Sequence, residues 1–133
     1  MKVVVDTNVF ISGVFFTGPP YHILKAWRDG RIEILLSREI FDEYHRVGNE
    51  LVYKFPKIDL NRILEYLLIH AEFVFISDLP MQICDDPDDD KFIACAIAGK
   101  SDLIVSGDKH LLRVSGYEGI NVLTPRQFVD RFL

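Results

Sequence analysis

Apolar residues in this chain come in two rhythms that alternate along its length. Lys2 to Val5 is a short β-branched run without polar alternation and predicts a strand buried on both faces. Ile32 to Leu36, Phe73 to Ile76, Leu103 to Val105 and Asn121 to Leu123 predict four more strands. Between them the apolar positions fall at helical spacing. Asn8 to Phe16 predicts a short helix. Gly18-Pro19-Pro20 opens a second, with Tyr21, Ile23, Leu24 and Trp27 in helical register and Gly30 ending it. Ser37 is placed to cap a third, whose stripe is Ile40, Tyr44, Val47 and Leu51, with Gly48 weakening its last turns. Lys54 to Asp59, with Pro56 in it, predicts a connection. Leu60 to Ala71 predicts a helix with Ile63, Leu64, Leu67 and Leu68 inward, and residues 88–99 one that is apolar on most sides and therefore buried. Thr124-Pro125-Arg126-Gln127 has the chemistry of a helix start, with Phe128, Val129 and Phe132 packing inward behind it.

Strands that alternate with helices throughout predict an α/β fold: a three-layer α/β/α sandwich around a central parallel sheet of about five short strands. No repeat, linker or low-complexity segment divides the chain, so residues 1–133 are expected to form one domain. In such sheets ligands sit outside the carboxyl ends of the strands. Asp6 follows the first strand directly, and Asp108 follows the fourth through Ser106-Gly107, so both are expected on that edge.

Composition narrows the function classes. With 49% hydrophobic residues and moderate charge the chain reads as globular rather than disordered. Three valines after one lysine do not make a signal peptide, and no apolar run approaches a membrane span. Cys84 and Cys95 have no metal-binding spacing and read as reduced thiols of a cytoplasmic protein. The net charge of −5 argues at first against a polyanionic partner. Fifteen basic residues face twenty acidic ones, but without Asp6, Glu43, Asp90 and Asp108 only sixteen acids remain, and without Asp85, Asp86, Asp88 and Asp89 as well only twelve. The acidity is concentrated, and bound metal would offset part of it.

Taken singly, each acid has an ordinary explanation. Asp6-Thr7-Asn8 is good helix-cap chemistry, and Thr7 and Asn8 serve equally as turn formers or as groups that orient Asp6 and its bound waters. Glu43 flanks the core stripe of its helix, with Arg46 in reach; Glu39 is nearer the helix start. Acids favour the first turn of a helix, yet five carboxylates in the six positions 85–90 exceed what capping needs, and spacing alone does not choose among them. Asp108 is placed either to cap the short helix Lys109 to Arg113 or to face Asp6, and Ser106 to hydrogen-bond either acid. Four histidines lack ligand spacing, and there is no Gly-rich phosphate loop or nucleophile elbow. Together, about four carboxylates suit Mg²⁺ or Mn²⁺ completed by waters, the equipment of metal-assisted phosphodiester hydrolysis. Arg38, Arg46, Lys91, Lys109 and Arg113 are candidate contacts to a nucleic-acid backbone.

Four segments, in order, carry a resemblance: Val4-Val5-Asp6-Thr7-Asn8-Val9-Phe10-Ile11-Ser12, Ser37 to Val47 with Glu43, Asp86-Pro87-Asp88-Asp89-Asp90-Lys91-Phe92-Ile93-Ala94-Cys95-Ala96, and Val105-Ser106-Gly107-Asp108. The chain resembles the PIN-domain family over essentially its whole length, and within it the small prokaryotic toxin-type (VapC-like) members. That resemblance implies an Mg²⁺- or Mn²⁺-dependent endoribonuclease acting on RNA, often a homodimer, neutralised by a protein antitoxin. It also selects Asp6, Glu43, Asp90 and Asp108 as catalytic and metal-binding residues, with Asp88 and Asp89 as possible extra acids. The competing reading is a non-catalytic RNA-binding or interaction module on the same fold. A dehalogenase-type phosphatase would need an acid where Asn8 stands, and the phosphoacceptor pattern of a receiver domain is not recognisable.

Overall fold

The chain builds its sheet outward from its first strand. In the computed structural model, which describes residues 1–133, β1 (Lys2–Val5) lies in the middle, between β2 (Glu33–Leu36) and β4 (Leu103–Val105). β3 (Glu72–Phe73) and β5 (Asn121–Leu123) form the edges, and every pairing is parallel. The register sets Val4 between Leu35 and Ile104, and Val5 beside Val105. Val3, Val4, Val5, Ile34, Leu35, Leu36, Ile104 and Val105 are wholly buried, so none of these positions is free to be polar.

The helices reach both faces because the chain reverses direction across the sheet. It moves outward through α1 (Thr7–Phe15) and α2 (Pro19–Arg28) to β2, then through α3 (Arg38–Leu51) and α4 (Leu60–His70) to β3. It then returns through α5 (Asp90–Ala98) to β4, passes α6 (Lys109–Arg113) to β5, and closes with α7 (Pro125–Phe132). Right-handed crossovers running in opposite directions put their helices on opposite faces. Accordingly α5 packs on β1, β2 and β4, while α1 contacts α2 and α3, α4 contacts α3, and α7 contacts α2. This is the three-layer α/β/α order expected from the alternation. No helix is long and apolar enough to cross a membrane.

The local signals act as chemistry requires. The Ser37 hydroxyl accepts from the Ile40 amide at 3.3 Å, and Thr124 and Gln127 form a reciprocal capping box. Gly48 does not weaken α3; it lets α3 approach the start of α4, because a Cβ there would stand 2.8 Å from Leu60 Cδ2. Three expectations are corrected. The third strand is Glu72–Phe73 rather than 73–76: it pairs only with Leu35 and Leu36 at the sheet edge, and beyond it Phe75 is 93% exposed. Leu68 is 48% exposed, since the buried stripe of α4 is Leu60, Leu64 and Leu67 and Leu68 turns past it. Val47, Leu51, Val129 and Phe132 pack against the core only partly buried.

Gly13 marks the closest approach of α1 to α2. A Cβ on it would lie 2.7 Å from the Pro20 carbonyl oxygen and 2.7 Å from Leu24 Cδ1, and backbone cannot yield as a side chain does. Gly13→Ala should therefore lower the unfolding free energy by about 1–3 kcal/mol in a denaturant titration. Gly107→Ala, where a Cβ meets nothing within 4 Å, should change it by about 0.5 kcal/mol or less. Equal midpoints for the two variants would mean that α1 and α2 are not tightly packed at this point.

Candidate active site

From β1 the chain departs toward one face of the sheet and from its neighbour β4 toward the other, which leaves a crevice at their carboxyl ends. Asp6 stands in it. Its amide extends the ladder by one rung to the Val105 carbonyl at 2.9 Å, and the residue is only 5% exposed. Its carboxylate is not spent as a cap, since it makes no hydrogen bond to the start of α1. Instead Asp6 Oδ2 accepts from the Ser106 hydroxyl at 2.6 Å, and that hydroxyl in turn accepts from the Asp108 amide at 2.9 Å. Ser106, fully buried at the end of β4, thus couples two acids a hundred residues apart in sequence. Asp108 does cap: Oδ1 accepts from the His110 amide at 2.7 Å. Burial raises the Asp6 carboxyl above its ordinary range; the Ser106 hydrogen bond offsets part of this, and the charges of Asp108 and Glu43 add to it.

α3 brings the next acid. The fully buried Tyr44 donates its hydroxyl to the Val5 carbonyl, and its ring stacks on Phe10 with centroids 4.2 Å apart and planes 4° from parallel. Tyr44 thereby fastens α3 under the end of β1. Its neighbour Glu43 is half-buried while Glu39 is exposed, so it is Glu43 that faces the interior. Glu43 does not pair with Arg46, which reaches Glu50 at 3.5 Å; it forms an ion pair with Lys91 of α5.

In the acidic run four of the five carboxylates have local employment. Asp85 pairs with Arg113 at 3.0 Å and lies 3.6 Å from His110 Nδ1. Asp86 caps the single 3-10 turn Pro87–Asp89 by accepting from the Asp88 amide at 3.0 Å. Asp88 pairs with Lys91 at 2.8 Å. Asp90, the acid selected by resemblance, turns both oxygens away to backbone: Oδ1 accepts from the Cys84 amide at 2.7 Å and Oδ2 from the Ile83 amide at 3.0 Å. Asp89 is left. It is 9% exposed, and its buried Oδ2 has no hydrogen-bond partner. Burial first, then the charges of Asp108, Asp86 and Asp6, push its carboxyl up to about 6, with Lys91 opposing.

The geometry therefore groups Asp6, Asp89 and Asp108, places Glu43 beside them in an ion pair, and sets Asp90 apart as the anchor of the 83–84 backbone. A shallow opening of about 310 Å³ lined by Asp6, Asn8, Ser12, Gly107 and Asp108 leads to the group. Asn8 is exposed at its rim, whereas the Thr7 hydroxyl is buried without a partner. As the side chains stand, no three acidic, histidine or cysteine residues close into a ready cage for an ion. Like charges without a counter-cation hold one another off. The donor set nonetheless fits a hard divalent cation, being all oxygen, short of positive charge and carrying one unpartnered buried oxygen. Among the candidate backbone contacts, Arg38 pairs with Asp42 at 3.9 Å, Lys109 is exposed, and Lys91 is enclosed by acids. Sequence reasoning missed Tyr44 as the fastening of α3 and Lys91 as the partner of Glu43. A lone lysine between five acids and a wholly apolar helix was the available signal for the second.

Comparison with known proteins agrees with this arrangement. Residues 2–110 match the PIN domain. An uncharacterized protein of Methanocaldococcus jannaschii, MJ1680, is 33% identical over an alignment covering 99% of this chain and 92% of its own length.

The raised Asp89 carboxyl carries a sign. A folded-state value of about 6 against an ordinary 3.8 means that its contribution is fully present below about pH 4 and is lost as the pH rises through 6. In metal-free protein, Asp89→Asn should gain on the wild type by on the order of 2 kcal/mol between pH 4 and pH 7, read from paired denaturant titrations. Parallel pH profiles would show that Asp89 is not held among like charges.

Proposed function

The chain belongs to the PIN-domain family, and on that premise we propose that it is a metal-dependent ribonuclease hydrolysing RNA phosphodiester bonds, with Asp6, Asp89 and Asp108 as its cation-binding acids. PIN domains are in general nucleases that act on RNA with divalent metal ions. The observation that carries the reading is Asp6, a buried carboxylate left uncapped and hydrogen-bonded only to Ser106 at the point where the sheet reverses. A bound Mg²⁺ or Mn²⁺ supplies the positive charge that lowers the pKa of water and neutralises the phosphoryl oxygens.

The chain's own residues supply position. Ser106 keeps Asp6 Oδ2 directed into the crevice and fixes the Asp108 amide on the same oxygen. Asp108 Oδ2 is left free of the cap and Asp89 Oδ2 of any bond, so each has an oxygen to offer. Tyr44 sets the height of α3, and Asp90 holds the loop from which Asp89 is presented. Exposed Lys109 and Arg113 border the crevice on α6 and are suited to meet the nucleic-acid backbone. The likeness of its motifs to small prokaryotic toxins supports a finer reading: a cytoplasmic toxin component, homodimeric and neutralised by a protein antitoxin. Residues 1–133 would act as one unit, since α7, beyond the family match, packs back on α2.

Single-stranded RNA should be cut by the purified chain with Mg²⁺ or Mn²⁺ and not in chelator. Asp6→Asn and Asp89→Asn should each cost on the order of 100-fold in rate without loss of fold. Asp90→Asn should instead lower the unfolding free energy by about 1–3 kcal/mol and leave metal affinity in place. Cleavage that survives chelator, or the loss of both Asp6 and Asp89, sinks the mechanism; folded, metal-binding protein that cuts no RNA would make it a binding module.

A further inference from the structure

Lys91 is the least exposed charged amine near the crevice, with its side chain 11% exposed. Its ammonium has three acceptors for three N–H donors: the Glu43 carboxylate, Asp88 Oδ2 at 2.8 Å and the Asp88 carbonyl at 2.9 Å. It also lies 5.2 Å from the centre of the Phe92 ring. A lysine so occupied has no donor left for RNA. It acts instead as a cation built into the acidic site. The acids fall into two sets around it. Glu43 and Asp88 are neutralised by Lys91, whereas Asp6, Asp89 and Asp108 have no cationic side chain in hydrogen-bond or ion-pair contact. A divalent ion placed against Glu43 would have to displace or repel that ammonium in a poorly solvated place.

We propose that Lys91 fills the Glu43 end of the crevice with its own charge, so that the protein takes a single divalent cation on Asp6, Asp89 and Asp108, and Glu43 is a positioning residue for Lys91 rather than a ligand. This rests on the reading of the crevice as a cation site. It makes a four-acid site into a three-acid site with an internal counter-ion, and it assigns the removal of one side chain, Lys91, the power to change how many ions bind.

Calorimetric titration of the full chain with Mn²⁺ alone separates the possibilities. The wild type should bind one ion. Asp6→Asn should weaken it at least about tenfold, and Glu43→Gln by less than about threefold. Lys91→Met frees Glu43 and should admit a second ion or tighten the first about tenfold, whereas Lys91→Arg should keep one ion at unchanged affinity. If Lys91→Met fails to fold with Glu43 left unpaired, the double variant Lys91→Met/Glu43→Gln removes both charges and should again bind one ion as the wild type does. Two ions in the wild type, or a Glu43→Gln loss equal to that of Asp6→Asn, would overturn the proposal and leave the cation site standing. A wild type that binds no Mn²⁺ would overturn both.

Discussion

Val5 and Val105 end side by side, both wholly buried, and the chain leaves them for opposite faces of the sheet. Whatever follows them must lie in the gap between the two crossovers, partly out of water and next to one another. Asp6 follows one and Ser106-Gly107-Asp108 the other. Two carboxylates brought that close in a poorly solvated crevice are unfavourable unless a hydrogen bond or a cation answers them. Ser106 answers for one oxygen. The remaining deficit is a property of the topology as much as of the residues, because any parallel sheet whose order reverses here would concentrate its ligands at the same place.

The sheet and most helices were legible because their causes are local. Unbroken β-branched runs have no polar face to show to water, and Ser37, Thr124 and Gln127 cap helices through atoms within three residues of themselves. The third strand was legible only in position. Its length depends on how far β2 continues beside it, and β2 ends at Leu36. Burial on α4 and α7 was overstated where a helix lies at the rim, as at Leu68 and Phe132, since periodicity reports which way a residue turns and not how much protein lies there.

The acids were harder for the same reason. Asp85, Asp86, Asp88, Asp89 and Asp90 are chemically alike and adjacent, and what separates them is the partner each finds in the fold. Arg113, the Asp88 amide, Lys91 and the amides of Ile83 and Cys84 engage four of them. None of those pairings follows from helical or strand periodicity. Asp89 stands out by exclusion, as the carboxylate that the fold leaves unanswered. Motif resemblance pointed to the neighbouring Asp90, whose task in this chain is to hold backbone. The contrast shows why a string of acids constrains chemistry well and the identity of the individual ligand poorly.

The stack of Tyr44 on Phe10 beneath the end of β1 gives the crevice a property of its own. Glu43 is the next residue on the same helix, so its height above the sheet is set by aromatic rings that never meet a ligand. The crevice is thereby pre-organised: little ordering of α3 remains to be done when something binds, and little entropy is lost in doing it. The same rigidity removes freedom from the lineage of this sequence. Positions 10 and 44 cannot drift among hydrophobic residues of similar size as ordinary core positions do, because a change in ring thickness becomes a change in where a charge stands.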